Sequence, residues 1–180
     1  MSISYAKNVG LVKTPPQVKI GNKLYRTVQI GNLIWTAECL EEPLGVNGRN
    51  YKVINGIYYY GQHSDASDKI NQLIAGSGFR LPTTADSLAL LQNNTLASLC
   101  ATTGWDNLGT NTTTMNLPQA NVPLLGNGDR IQMYGFVFCP DLRVQNHFVG
   151  IELENGVMSL FEGGGWASNP GLPCRLCRDV

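Results

Sequence analysis

The sequence predicts an α+β domain with short antiparallel strands toward both ends, two helices between them and a long polar loop. Three observations predict it. First, apolar alternations in the early chain are broken by the turn dipeptides Gly21-Asn22 and Gly31-Asn32, the pattern of tight hairpins. Second, the stretch Gly78 to Leu91 contains a helix start. Pro82 bars helix from the residue before it, and Thr83 can accept from the free amides of the first turn. Asp86, three residues on, puts negative charge at the positive end of the helix dipole and can reach back to the cap. Third, a run rich in Asn, Thr and Gly from Ala101 to Arg130 is followed by strand-like segments, two of them joined by Asn155-Gly156, a type I′ turn signal.

The elements follow in order. Residues 1–16 read as an arm for assembly or docking, because they carry Ile3, Tyr5, Val9, Leu11 and Val12 ahead of the extended Lys13-Thr14-Pro15-Pro16. Residues 17–180 form the domain. Strands are expected at Gln17 to Ile20, Leu24 to Ile30 and Leu33 to Ala37, with Trp35 as a core anchor. Residues 38–56 read as loop, and Ile57 to Gly61 as a short strand whose alternate tyrosines pack. Ile70, Leu73 and Ile74 fall at helical spacing over 66–75, with Ser64 or Asp65 as cap and Gly76 as stop. The second helix runs from about Thr84 to Asn93 and buries Leu88, Leu90 and Leu91; Leu96 and Leu99 continue the apolar face. Strands are expected at Ile131 to Cys139, His147 to Leu153, Val157 to Phe161 and Cys174 to Arg178.

Composition narrows the function classes. Hydrophobic residues make up 43% of the 180, enough for an ordinary core, and only 14% are charged, against about a quarter in typical domains. The formal net charge is zero and no basic stripe is present, which disfavours nucleic acid as a partner. No segment is long and apolar enough to span a bilayer, and the N-terminus lacks the pattern of a secretory signal, so folding in a cytoplasm is expected. The five cysteines, Cys39, Cys100, Cys139, Cys174 and Cys177, are odd in number and irregularly spaced, unlike a disulfide framework. Cys174 and Cys177 have ligand-like spacing. In a regular strand they would face opposite ways, and no second such pair is present, so ordinary thiols are favoured over zinc.

The order of motifs resembles a known family. Tyr25 to Leu40, YRTVQIGNLIWTAECL, is similar to the "YKTVKIGNQTWMAENL" opening of the Fibrobacter succinogenes major paralogous domain. Gly78 to Thr83 is similar to its "GWHLPS", Thr102 to Asn111 to its "STTGWNNNGNGTN", and Cys174 to Asp179 to its closing "VRCVRD". The four matches are collinear over roughly residues 24–180. The resemblance implies a C-type-lectin-like fold with its termini drawn together. Phe79 stands for the family's tryptophan and Arg80 for its histidine. Ala75 and Leu176 stand where relatives commonly carry cysteines; if those pair in relatives, both ends are lost here together, which fits a reducing compartment. Glu162 to Trp166 echoes the "RGGSW" of formylglycine-generating enzymes, which share the general fold, but their cysteine pair is not matched nearby and no catalytic residue carries over.

Chemistry-bearing motifs are few. His63 and His147 lie far apart in sequence, His63 in a loop before a helix and His147 at a strand start; both suit structural roles. No phosphate loop, dinucleotide fingerprint or zincin motif is present. No cofactor or metal is expected. Calcium, which lectin-like folds hold through carboxylates and amides, would take Asp106, Asn107 and Asp129 as first ligands. The expected ligand-binding residues are Trp105, Asp106, Asn107 and Trp166. The sequence therefore points to a non-enzymatic bacteriophage virion component: a fibre, tail-tip or capsid-decoration protein displaying a lectin-like domain. Its expected partners are other virion proteins, itself as a homo-oligomer such as a trimer, and a host-surface glycan or protein. The alternatives are a bacterial cell-surface adhesion module and, more remotely, a formylglycine-generating-like enzyme tested at Cys174 and Cys177.

Overall fold

The computed structural model describes residues 16–47, 51–54, 56–60, 64–92, 94, 96–99, 110–111, 113, 133–137, 148–154, 157–163 and 173–180. Their order is β1 (Gln17–Ile20), β2 (Lys23–Ile30), β3 (Leu33–Thr36), β4 (Tyr51–Ile54), β5 (Ile57–Tyr60), α1 (Ser64–Ile74), α2 (Thr84–Gln92), α3 (Leu96–Leu99), β6 (Met133–Val137), β7 (Phe148–Glu154), β8 (Val157–Gly163) and β9 (Cys177–Asp179). This is a mixed α+β class. The strands form a four-stranded sheet ordered β1-β2-β3-β9, the hairpin β4-β5, and the meander β6-β7-β8, all antiparallel.

The first two hairpins form as their turn dipeptides require. Gly21 and Gly31 sit at φ +56° and +62°, the left-handed conformation that two-residue turns demand and that Gly adopts at least cost. The alternation of β1 and β2 then puts Val18, Ile20 and Tyr25 on the core side and leaves Gln17, Lys19 and Leu24 outside.

One core joins these hairpins to the helices. Ile20, Tyr25, Leu40, Leu44, Tyr59, Tyr60, Ile70, Ile74, Phe79, Leu81, Cys174 and Leu176 are buried together, with Ile34 and Leu73 packed against them. Trp35 is 1% exposed; strand alternation puts it on the opposite face of the sheet from Ile34. Burying each large apolar side chain contributes about 1.5–3 kcal/mol, so these positions hold the frame.

Four local outcomes differ from the sequence reading. Residues 51–54, expected as loop, form β4 because Tyr51 pairs with Tyr60 and Val53 with Tyr58. Leu88 is only half-buried; α2 buries Ser87, Leu90 and Leu91, and Ser87 satisfies its hydroxyl on the Thr83 carbonyl at 3.1 Å. The first helix begins at Ser64, so Ser64 and Asp65 are its first residues rather than its preceding cap; it ends before Gly76, at φ +80°, as the expected stop requires. The last strand covers only Cys177–Asp179, because 174–176 strap across the chain at 36–40 instead of continuing a ladder.

That strap closes the fold. Trp35 pairs with Cys177 and Leu33 with Asp179. Thr36 N–H donates to the Leu176 carbonyl at 2.9 Å, and Leu40 N–H to that of Cys174 at 2.7 Å. Arg175 is buried, and its guanidinium donates to the carbonyl of Thr36 at 3.1 Å and to that of Ala37. A buried charge is tolerated only when such dipoles satisfy it.

The segment 38–42 zips onto the first hairpin. Glu38 pairs with Arg26 and Glu41 with Lys23. The Tyr25 hydroxyl accepts from Glu41 N–H, and the Tyr60 hydroxyl from Glu42 N–H, both at 3.0 Å. The Tyr60 proton is shared toward the Leu40 and Glu42 carbonyls at 3.1 and 3.0 Å. Burial pushes the Tyr25 and Tyr60 phenols well above their ordinary range and Tyr59 up to about 12. The tyrosine run of β5 is thus packing at Tyr59 and Tyr60, while Tyr51 and Tyr58 stack with ring centroids 5.8 Å apart.

Candidate functional site

The four residues singled out for ligand contact, Trp105, Asp106, Asn107 and Trp166, lie outside the described residues, as do Asp129, His63 and His147. What is described is the frame on either side of the first three. Leu99 ends α3, and the chain is next described at Thr110, Asn111 and Thr113, which return to the same short helix. Thr110 N–H donates to the Ala97 carbonyl at 2.8 Å and Thr113 N–H to that of Ser98 at 3.1 Å. The Thr113 hydroxyl donates to Ser98 as well, at 2.8 Å. These bonds occupy carbonyls that the end of a helix leaves open. Asn111 takes φ +48°, which Asn tolerates better than most residues. The chain on either side of Trp105, Asp106 and Asn107 is therefore tied to α3. The α2 and α3 helices contact β7 and β8 respectively, so α3 is continuous with the meander.

A second feature was not anticipated from the sequence. A cleft of about 520 Å³ opens between the β2–β3 turn, α2 and the end of β9. Ile30, Leu33 and Leu90 supply its apolar walls, and Asn32, Asn94, Asp86 and Asp179 its polar groups. Its volume lies within the usual range for small-molecule sites, about 300–1,000 Å³.

The acidic side of the cleft is organised by the helix start read from the sequence. Asp86 accepts from Thr83 N–H at 2.7 Å, and Thr83 Oγ1 accepts from Asp86 N–H at 3.2 Å, so the two residues form a reciprocal capping box. Arg80 donates to both Asp86 oxygens at 2.6 and 3.4 Å and reaches Asp179 at 3.4 Å. Arg80 itself is fixed because its backbone bridges Cys177 in both directions, at 2.8 and 2.9 Å. Desolvation pushes the Asp86 carboxyl up, but the bonds from Arg80 and Thr83 outweigh it and hold the group below the usual carboxylate range. The hydrogen bond to Asp86, more than any other cause, raises Arg80 further above its already high value. Asp86 is thus held ionised with its acceptor sites occupied, whereas a general base needs a free lone pair near neutral pH. Asp179, with its side chain 82% exposed, lies at the cleft mouth.

The described thiols are not poised for chemistry. Cys174 and Cys177 are both buried and free, and Cys39 is partly exposed and free. Burial raises Cys174 well above its ordinary value and Cys177 up to about 12, the reverse of a reactive thiolate. The expectation that the pair does not share a metal rested on strand alternation; the strap at 174–176 replaces that strand, and both side chains are nonetheless enclosed. Among the described residues no three His, Cys, Asp or Glu side chains converge as a metal site would require, and no helix is long and apolar enough to cross a membrane.

Comparison with known proteins adds little. No family model matches the chain, and no solved structure matches it. A segment of 62 residues, 34% of this chain, is 37% identical to osteoclast-stimulating factor 1 of Xenopus laevis and covers 28% of that protein. A similarity over so small a share of both chains shows no family.

Proposed function

We propose that this protein is a non-enzymatic binding domain of C-type-lectin-like fold, carried on a bacteriophage virion as a fibre, tail-tip or capsid-decoration component. The loop on α3, with Trp105, Asp106 and Asn107, together with Trp166, meets a host-surface glycan or protein. The arm at residues 1–16 joins the protein to further copies or to other virion proteins. The observation that carries the reading is the pairing of Trp35 with Cys177, which joins β3 and β9 in one sheet with three helices inserted between them. A frame closed in this way can hold still while its inserted loops vary. A weakly charged composition and three free thiols among the described residues support assembly in a reducing compartment.

Two measurements test it. Solution mass is compared for the full chain and for a form lacking residues 1–15; Pro16 is retained because its carbonyl holds Thr27 N–H at 2.7 Å. An oligomer that becomes a folded monomer supports the assembly arm. Binding to host cells and to a glycan array is then compared for the wild type and Trp105→Ala/Asp106→Ala/Asn107→Ala. Loss of binding at unchanged melting temperature supports the loop as the contact surface. Equal binding by both proteins refutes it.

A further inference from the structure

Among the described residues, the outer edge of β1 carries no partner strand. The two-residue turn at Gly21-Asn22 makes Ile20–Lys23 the first hydrogen-bonded pair of the hairpin, and Val18–Tyr25 the next. The bond from Thr27 N–H to the Pro16 carbonyl continues the same phase at 2.7 Å. By alternation, the N–H and C=O groups of Gln17 and Lys19 point away from β2. Both residues are exposed, and among the described residues no strand pairs with that side of β1. Four backbone groups are thus presented in the geometry that accepts another strand.

Immediately ahead of this edge, Ile3, Tyr5, Lys7, Val9 and Leu11 alternate with Ser4, Ala6, Asn8 and Gly10. Four of these five alternate positions are apolar, Lys7 being the exception, and a period of two is the pattern of a strand with one mostly apolar face. Its own copy is a poor recipient. To fold back on β1, the arm would have to reverse within Val12 to Pro16, and Pro15-Pro16 favours stiff, extended geometry there. Extended, the fifteen residues before Pro16 reach about 50 Å, enough to cross to a neighbour. Val18, half-buried at the edge, would gain cover from the incoming apolar face.

We infer that residues 3–11 of one copy add as a strand to the outer edge of β1 of a second copy, so that each molecule gives one arm and receives one. Such an exchange makes a two-fold pair, a ring where the rotation closes, or a filament where it does not. The inference rests on the assembly arm proposed above and deepens it by naming the receiving edge.

The test uses the full chain. Hydrogen exchange at the Gln17 and Lys19 amides is followed above and below the concentration at which the protein associates, in the wild type and in Tyr5→Pro/Val9→Pro, whose prolines break strand pairing. In the associated wild type both amides exchange at least about tenfold slower than in the dilute protein; in the proline variant they stay fast and the protein stays monomeric. If the variant loses association while those amides exchange equally fast in wild-type oligomer and monomer, the arm docks elsewhere; the edge is then wrong and the assembly reading survives. Protection that persists on dilution means the arm lies on its own edge, which overturns the exchange. A wild type that never associates overturns both readings. Lys19→Pro provides a second check, since it removes an outward amide that makes no bond within the hairpin; association that survives it contradicts the proposal.

Discussion

The contact between the first turn and the buried Glu42 carboxylate gives a prediction with an internal control. Gly21 and Gly31 have nearly equal positive φ, +56° and +62°. They differ in surroundings. A Cβ on Gly21 would lie 2.7 to 2.9 Å from the Glu42 carboxylate, whereas one on Gly31 meets nothing within 4 Å. Gly31→Ala therefore reports backbone strain alone. That strain is about 1–2 kcal/mol, offset by roughly 0.4–1 kcal/mol from the stiffer unfolded chain, for a net loss of about 0.5–1.5 kcal/mol. Gly21→Ala carries the same strain and must also displace Glu42. The displaced carboxylate loses its bond from Asn22 N–H, 3.1 Å long, and Glu42 is only 7% exposed, so the added loss is about 1.5–3 kcal/mol. Gly21→Ala is thus expected to fall about 2–4 kcal/mol below wild type, a drop in Tm of roughly 5–15 °C for a chain of this size. Urea unfolding followed by tryptophan fluorescence measures all three proteins. The cycle is completed by Glu42→Ala, in whose background the excess of Gly21→Ala over Gly31→Ala should vanish. Equal losses for the two alanine variants in the wild-type background would refute the reasoning.

Three further outcomes follow from the same geometry. Arg175→Leu removes a buried guanidinium from the Thr36 and Ala37 carbonyls and should destabilise by at least about 3 kcal/mol, read by denaturant titration; a loss below 1 kcal/mol would contradict its role in the strap. Asp86 is depressed in the fold, so its stabilisation is full above the unfolded carboxylate value of about 3.9 and fades as pH falls through its lower folded value; Asp86→Asn should flatten the acid limb of the stability–pH curve and weaken the α2 cap by about 1 kcal/mol, while an unchanged limb argues against the pairing. Brief alkylation of native protein, mapped by mass spectrometry, should label Cys39 and spare Cys174 and Cys177, because burial keeps those two protonated and enclosed; equal labelling of all three would mean that the strap opens.

Features whose partners lie close in sequence were legible in the residues. Thr83 and Asp86 are three apart, and both directions of their box form. The helical spacing of Ile70, Leu73 and Ile74 likewise suffices to place α1 on the core. The hairpin β4-β5 has the same kind of local mark, Asn55-Gly56 between two apolar runs, so Tyr51 to Ile54, expected as loop, was as legible as the four-residue β1. Features that depend on distant chain were not legible. Cys174 to Arg178 scans as an alternating strand, and nothing local shows that Arg175 turns inward to carbonyls some 138 positions earlier. The cleft is equally non-local, since Arg80 and Asp179 are 99 residues apart. Within the candidate site, the anchoring of the loop on α3 depends on Ala97 and Ser98 carbonyls meeting threonines 13 and 15 residues later, pairings that polar, Asn- and Thr-rich sequence does not mark.

The closing strap also sets the tempo of folding. Leu176 and Thr36 meet across 140 residues, so a large chain closure precedes any gain from that contact, and topologies of this kind fold slowly. Until closure, the backbone of Leu33–Thr36 presents an open flank on which a neighbouring chain could pair, making concentration during refolding the hazard to control. The same closure makes the frame tolerant of what it encloses. Loop-closure entropy grows only logarithmically, by about 0.6 kcal/mol for each doubling of length. A change of length between Thr113 and β6 therefore carries a closure cost of only that order.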